Sequence, residues 1–305
     1  MDNLKPIPEQ VAEKMKRSLR IMEPEPVVGI GLGTDYSLVT RTAVNHAGGL
    51  KGIIKENDTV IIKPNLVKPA LPNEAVTTDY RVVQEVVNLV KECGAGKIII
   101  AEATPYGNVF ESANYNKISG AELFNMEECQ AEDCYCLRPD KSLTGHDIMI
   151  PKVYMDADVV IGVAKLKTHS EYDAGVTLSI KNSFGVPPTR FYGDTYKEQL
   201  HLWGLKEAIV DINKIRKPDF VIIDGIVGGE GDGPLWVRPV QSNIVLAGAD
   251  PVAVDMVTLD FMGFTIDEVR HVKLAAEEGL GIADLNRIKI VGADLGPLKM
   301  KFQRY

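Results

Sequence analysis

The run Val159-Val160-Ile161-Gly162-Val163-Ala164 constrains this chain most: it is apolar throughout and then ends in Lys165-Leu166-Lys167-Thr168-His169. A strand with one wet face alternates apolar and polar residues. A run without alternation is a strand covered on both faces, the condition of a parallel sheet between helices. Further strand-like runs cover Val27 to Gly31, Asp58 to Lys63, Lys97 to Glu102, Asp219 to Asp224, Asn243 to Ala247 and Ile288 to Val291. Between them come helical patterns at Leu38 to Gly48, Tyr80 to Cys93, Leu200 to Ile215, Pro251 to Met262 and Ile266 to Glu278. In the second of these, Val82, Val83, Val86, Val87 and Val90 recur at helical spacing. The alternation predicts an α/β fold, a largely parallel sheet flanked by helices, arranged as two lobes with a site between them. Residues 1–26 are expected to form a helical extension with Val11, Met15, Leu19 and Met22 on one face. Residues 27–305 form the main domain, with a loop-rich insertion at about 103–150 and a glycine-rich loop over Gly225 to Pro234.

The net charge is −8, so no general basic field draws in nucleic acid. No stretch of about 18 apolar residues exists to span a membrane, and the first 26 residues lack the apolar core of a secretion signal. The expectation is a cytoplasmic protein whose partner is a small anionic ligand, with the oligomeric state open. Of four cysteines, Cys129, Cys134 and Cys136 lie close together. Their C-x4-C-x-C spacing matches neither a zinc ribbon nor a ferredoxin run.

In open α/β sheets ligands sit where parallel strands end. Lys165, Lys167 and His169 cluster at one such end, and Lys63-Pro64-Asn65 stands at another. Ammonium groups beside an imidazole suit an anion and a proton transfer. The segment Ser179-Ile180-Lys181-Asn182, closed by Gly185 and Pro187, offers a hydroxyl, an amine and an amide to a phosphate or cofactor, without Walker spacing. Glu102 ends another strand and is read as a structural partner for a lysine. His201 is a candidate second imidazole; His46, His146 and His271 are background. No G-x-G-x-x-G fingerprint precedes a helix, which disfavours a dinucleotide enzyme.

The order Lys63-Pro64-Asn65, Lys165-Leu166-Lys167-Thr168-His169, Ser179-Ile180-Lys181-Asn182-x-Phe184-Gly185, His201, Asp224-Gly225 and Gly248-x-Asp250-Pro251-Val252-Ala253-x-Asp255 resembles the DUF362 family across roughly residues 27 to 292. Many members of that family carry ferredoxin-type cysteine runs. This chain has none, so the iron–sulfur label is not carried over. The order His169, Lys181, Gly185, Pro187 and His201 is also similar to that of nickel-pincer lactate racemases. That likeness implies His169 as base, Lys181 as tether of a nickel-pincer-like nucleotide and His201 as a ligand to a divalent metal, nickel or iron. Lys63, Asn65, Lys165, Lys167, Ser179 and Asn182 would hold the cofactor or anion. The expected function is a metal- or phosphorylated-cofactor-dependent enzyme, racemase- or epimerase-like, acting on a small anion. The alternatives are a non-catalytic cofactor- or metal-binding accessory protein, and an iron–sulfur oxidoreductase using the three close cysteines.

Overall fold

The computed structural model describes residues 7–19, 24–170, 175–194 and 196–304. Eleven strands occur there: β1 Val27–Leu32, β2 Thr59–Lys63, β3 Lys97–Glu102, β4 Glu122–Asn125, β5 Cys134–Leu137, β6 Ile148–Pro151, β7 Val159–Thr168, β8 Val176–Thr177, β9 Phe220–Asp232, β10 Trp236–Gly248 and β11 Lys289–Val291. Nine of them form one sheet in the order β11-β1-β10-β9-β7-β2-β3-β4, with β8 paired to the end of β7. The pairs β7–β9, β7–β2, β2–β3, β3–β4 and β1–β11 are parallel. The pairs β1–β10, β10–β9 and β7–β8 are antiparallel. The sheet is therefore mixed but mostly parallel, with helices on its faces. β7 is buried at all ten positions, which accounts for its unbroken apolar run.

The helices follow their local signals. Asp79 caps Tyr80–Glu92 by accepting from the Arg81 amide, and the valines at helical spacing turn into the core. Asp250 caps Pro251–Met262 by accepting from the Ala253 amide at 2.9 Å, with proline at the first helical position. In Glu9–Ser18, Val11 is fully buried and Met15 packs on the same core. Met22, expected on that face, lies outside the described residues.

Three sequence expectations change. Gly225 to Pro234 is not a loop: β9 runs on to Asp232 and pairs with β10 from Trp236 onward. Glycine clusters signal turns, but here the ladder supplied by β10 overrides that preference. The single helix expected over Leu200 to Ile215 is two, Glu198–Leu202 and Leu205–Arg216, parted at Gly204 with φ +103°, where a helix cannot continue. The pattern from Ile266 becomes a short 3₁₀ turn, and the α-helix starts at Arg270. Residues 103–150 hold more order than their composition suggests. β4 extends the main sheet, and β5 pairs with β6 in a separate ribbon. Leu137, Ile148 and Ile150 from that ribbon pack with Met126, Tyr154 and Ile212 in a core shared with Ile61, Ile99 and Val160 of the main sheet.

Candidate functional site

The neighbouring parallel strands β2 and β3 end side by side, and each ends in a charged residue, while β7 runs on past them to Thr168. Lys63 closes β2 and Glu102 closes β3. Their side chains meet with Nζ 2.9 Å from Oε1 and 3.0 Å from Oε2. Both are almost wholly buried, a costly arrangement unless every remaining hydrogen-bonding position is filled. It is filled. Glu102 accepts from the backbone amides of Leu66 and Ala103, each at 3.1 Å. Asn182 accepts from Lys63 Nζ at 3.3 Å and from Asn65 Nδ2 at 3.2 Å, and returns a bond to the Lys63 carbonyl. Burial pushes the carboxyl up and the amine down, while their mutual attraction opposes both shifts. Gly185 completes the joint, since a Cβ there would lie 2.4 Å from Glu102 Oε1.

The chain returns over these strand ends through β8 and the short helix Ser179–Asn182. Asp255, on the helix Pro251–Met262, holds that return: its carboxylate accepts from the Ser179 amide at 2.8 Å, the Ser179 hydroxyl at 2.6 Å and the Ile180 amide at 3.0 Å. Above the strand ends lies a cavity of about 230 Å³. Its wall includes Asn65, Glu102, His169, Thr177, Lys181, Asn182, Phe184, Thr189, Lys197 and His201, closed by Tyr106, Tyr196, Pro234 and Leu235.

Phe184 organises one side of the cavity. Lys181 Nζ lies 5.2 Å and Lys197 Nζ 5.1 Å from its ring centre, within cation–π reach, and the His201 ring meets it edge-on at 5.5 Å. His201 Nδ1 is 3.2 Å from the Lys197 carbonyl. Lys197 Nζ donates to the Phe184 carbonyl at 2.5 Å, and burial pulls its amine down to about 7. Burial, with Lys181 and then Lys167 nearby, holds His169 far below the ordinary imidazole range, so its ring is neutral at pH 7. Three buried oxygens in this wall, Asn65 Oδ1, Thr177 Oγ1 and Thr189 Oγ1, have no hydrogen-bond partner. Buried polar atoms are normally satisfied, so these three stand out: Asn65 Oδ1 can take a donor, and the two hydroxyls can donate or accept.

Residues 60–260 match the model of the family described as "Domain of unknown function (DUF362)". The chain belongs to the DUF362 family. The matched range takes in every residue of the cavity wall and also Asp255. The chain is 31% identical over 251 residues to a curated protein of Synechocystis sp. (strain ATCC 27184 / PCC 6803 / Kazusa), "Thylakoid-associated protein sll1697", spanning 79% of this chain and 74% of that one. A solved structure of a Thermotoga maritima protein aligns with 81% of this chain at 11% identity and a TM-score of 0.43. The alignment spans 60% of that protein's length.

Within this DUF362 chain the expected site residues divide into two groups. His169, Lys181, Asn65, Asn182 and His201 share the cavity wall. Lys63, Lys165, Lys167 and Ser179 do not, and each is engaged beneath it. Lys63 is held by Glu102. Lys165 Nζ is 2.8 Å from Asp224 Oδ2, with both side chains fully buried. Lys167 Nζ donates to the carbonyls of Val76 at 2.6 Å and Pro234 at 3.2 Å. Ser179 is held by Asp255. The strand-end lysines are thus the floor of the site rather than its ligand-facing groups, because β7 stays covered on both faces to its last residue. Around His201, as elsewhere among the described residues, no three His, Cys, Asp or Glu side chains gather to hold an ion.

Sequence reasoning missed Lys197 and Thr189. Lys197 stands four residues before His201, one helical turn away, and that spacing was the available signal. His271, set aside as background, is fully buried, and neither of its ring nitrogens has a hydrogen-bond partner. Burial, followed by the nearby Lys181, pulls it down to about 3.

Proposed function

We propose that this protein is an enzyme that takes a small organic anion into the cavity and moves a proton at a carbon of that substrate, an isomerase-type reaction. The observation that carries this reading is the shared cavity wall. Lys181, a neutral His169, Asn65, Thr177 and Thr189 line one volume of about 230 Å³. Pockets for drug-sized ligands run from about 300 Å³ upward, so this volume suits a metabolite of few carbons. Lys181 would hold the carboxylate. The hydroxyls of Thr177 and Thr189 would bond polar atoms further along the molecule. His169 would take the proton once the bound carboxylate offsets the Lys181 and Lys167 charges that disfavour its protonated form.

A divalent metal fits poorly, since the described residues bring no three ligands together.

The test combines calorimetric titration of the full chain with pyruvate, lactate and glycerate with proton NMR of the same acids in D2O. Binding together with loss of a carbon-bound proton signal is expected. His169→Ala should slow that exchange by about 10²-fold or more while binding stays within a few-fold. Binding without exchange would favour the accessory-protein reading, and no binding of any small acid would overturn both. A cytoplasmic location is likewise a proposal. No helix among the described residues is long and apolar enough to cross a membrane. The relative named as thylakoid-associated makes peripheral attachment the alternative, and cell fractionation at low and high salt separates the two.

A further inference from the structure

Lys197 is built unlike the other lysines of the site. Lys63 and Lys165 are locked to carboxylates, and Lys167, itself outside the wall, is fixed by two carbonyls. Lys197 is 5% exposed, lines the cavity itself, and is oriented by one bond from Nζ to the Phe184 carbonyl. Its backbone is left-handed, with φ 56° and ψ 53°, a conformation that a residue with a Cβ adopts only at a cost. Such outliers persist where the surroundings over-determine them, and they gather at functional sites. A second amine, that of Lys181, stands a similar distance from the same Phe184 ring.

We propose that Lys197 is a nucleophile that forms a Schiff base with a small carbonyl acid, such as a 2-oxo acid, whose carboxylate is held by Lys181. This rests on the anion-binding reading above and names its substrate class. In the step, the neutral ε-amine adds to the carbonyl carbon. A C–N bond forms, and the carbonyl π pair moves to oxygen, which takes a proton. The carbinolamine then loses water to give a protonated imine, with no oxidant or reductant required. The imine draws electron density from the neighbouring carbon and so acidifies the proton that the proposed isomerisation moves.

The reactive form is accessible at neutral pH. Burial is the main cause of the lowered amine. The charged groups acting on it are Glu102 and Glu127, which raise it, and Lys63 and Lys181, which lower it. Roughly half of Lys197 is neutral near pH 7, against less than about 0.1% of an ordinary lysine.

The full-length protein is incubated with pyruvate and sodium borohydride, then digested and mapped by mass spectrometry. Calorimetry measures pyruvate binding in parallel. One reduced pyruvyl group on Lys197 is expected, at pH 7 more than about tenfold above any surface lysine. Its yield should rise to a plateau just above pH 7 rather than climb to pH 10. Lys197→Arg should keep the fold by circular dichroism and lose the label. Binding without a Lys197 adduct, or labelling spread evenly over surface lysines, overturns the Schiff base and leaves the anion site standing. No binding and no adduct overturns both.

Discussion

Gly185→Ala tests whether the buried ion pair at the strand ends depends on the close approach of this backbone. The added methyl would lie 2.4 Å from Glu102 Oε1 and 2.8 Å from Lys63 Nζ. Gly185 is not in the left-handed region, so alanine brings no backbone strain and the effect is steric. Neither partner can step aside. Glu102 is pinned by two backbone amides, and Lys63 by Asn182 and the Pro64 carbonyl. Overpacking of this kind costs about 1–3 kcal/mol. Parting the pair would leave one buried charge uncompensated, worth about 3–5 kcal/mol if complete. Partial relief of each gives an expected loss of about 3 kcal/mol, read as a fall in urea unfolding free energy. In a Glu102→Gln background the methyl no longer separates two charges, so the two substitutions should couple by roughly 1–2 kcal/mol. A loss under about 1 kcal/mol, or additivity within about 0.5 kcal/mol, would refute the claim that Gly185 acts through the pair.

The second buried pair should behave as a unit. Lys165→Met strands Asp224 and should cost about 3–5 kcal/mol, whereas Lys165→Met with Asp224→Leu should recover most of it, both by urea unfolding. Lys197→Met should stabilise the fold while abolishing activity. The folded amine sits near 7 and an unfolded lysine near its ordinary value, so the folded state binds fewer protons between those limits. Wild-type stability relative to Lys197→Met should therefore rise with pH from about 7 to about 10. The fall from the ordinary lysine value to about 7 sets the span at roughly 5 kcal/mol, and a flat difference would contradict it. Among Cys129, Cys134 and Cys136, only Cys136 is exposed, and burial pushes the Cys134 thiol up to about 12. Of these three, Cys136 should react first with a disulfide reagent at pH 8, with the other two slow until unfolding.

The sheet was legible because its signals are local. β7 is covered on both faces and so has no polar position to interrupt its apolar run, and Tyr80–Glu92 carries its buried face in valines three and four apart. What escaped depended on partners distant along the chain. The glycines of β9 resemble a loop until β10 lies beside them. The β5–β6 ribbon shows no pattern of its own because its apolar residues pack against Tyr154 and Ile212. The site divides the same way. Strand ends announced Lys63, Asn65, Lys165, Lys167 and His169, since charged residues directly after apolar runs stand out. Nothing local told which of those lysines would meet a carboxylate. Glu102 and Asp224 lie 39 and 59 residues from their partners, and the pairing was settled by strand order.

That strand order also accounts for the chemistry available above it. Placing β2, β3, β7 and β9 as neighbours brings Lys63 to Glu102 and Lys165 to Asp224, so those two cations are neutralised where they stand. Lys167 lies just below the wall, and burial with Lys181 and Lys165 alongside holds its amine far below the ordinary range. A further charge entering this region meets little water and several positive neighbours. The groups that adjust most cheaply are those that can shed a proton, which keeps His169 neutral and brings Lys197 toward neutrality. An incoming carboxylate reverses that balance by adding a negative charge beside Lys181 and Lys197. Binding of a small acid should accordingly take up protons at pH 7 to 8. Calorimetric titration in two buffers of different ionisation enthalpy reads this directly, and equal heats in both would show that the amines of the wall do not sense the ligand.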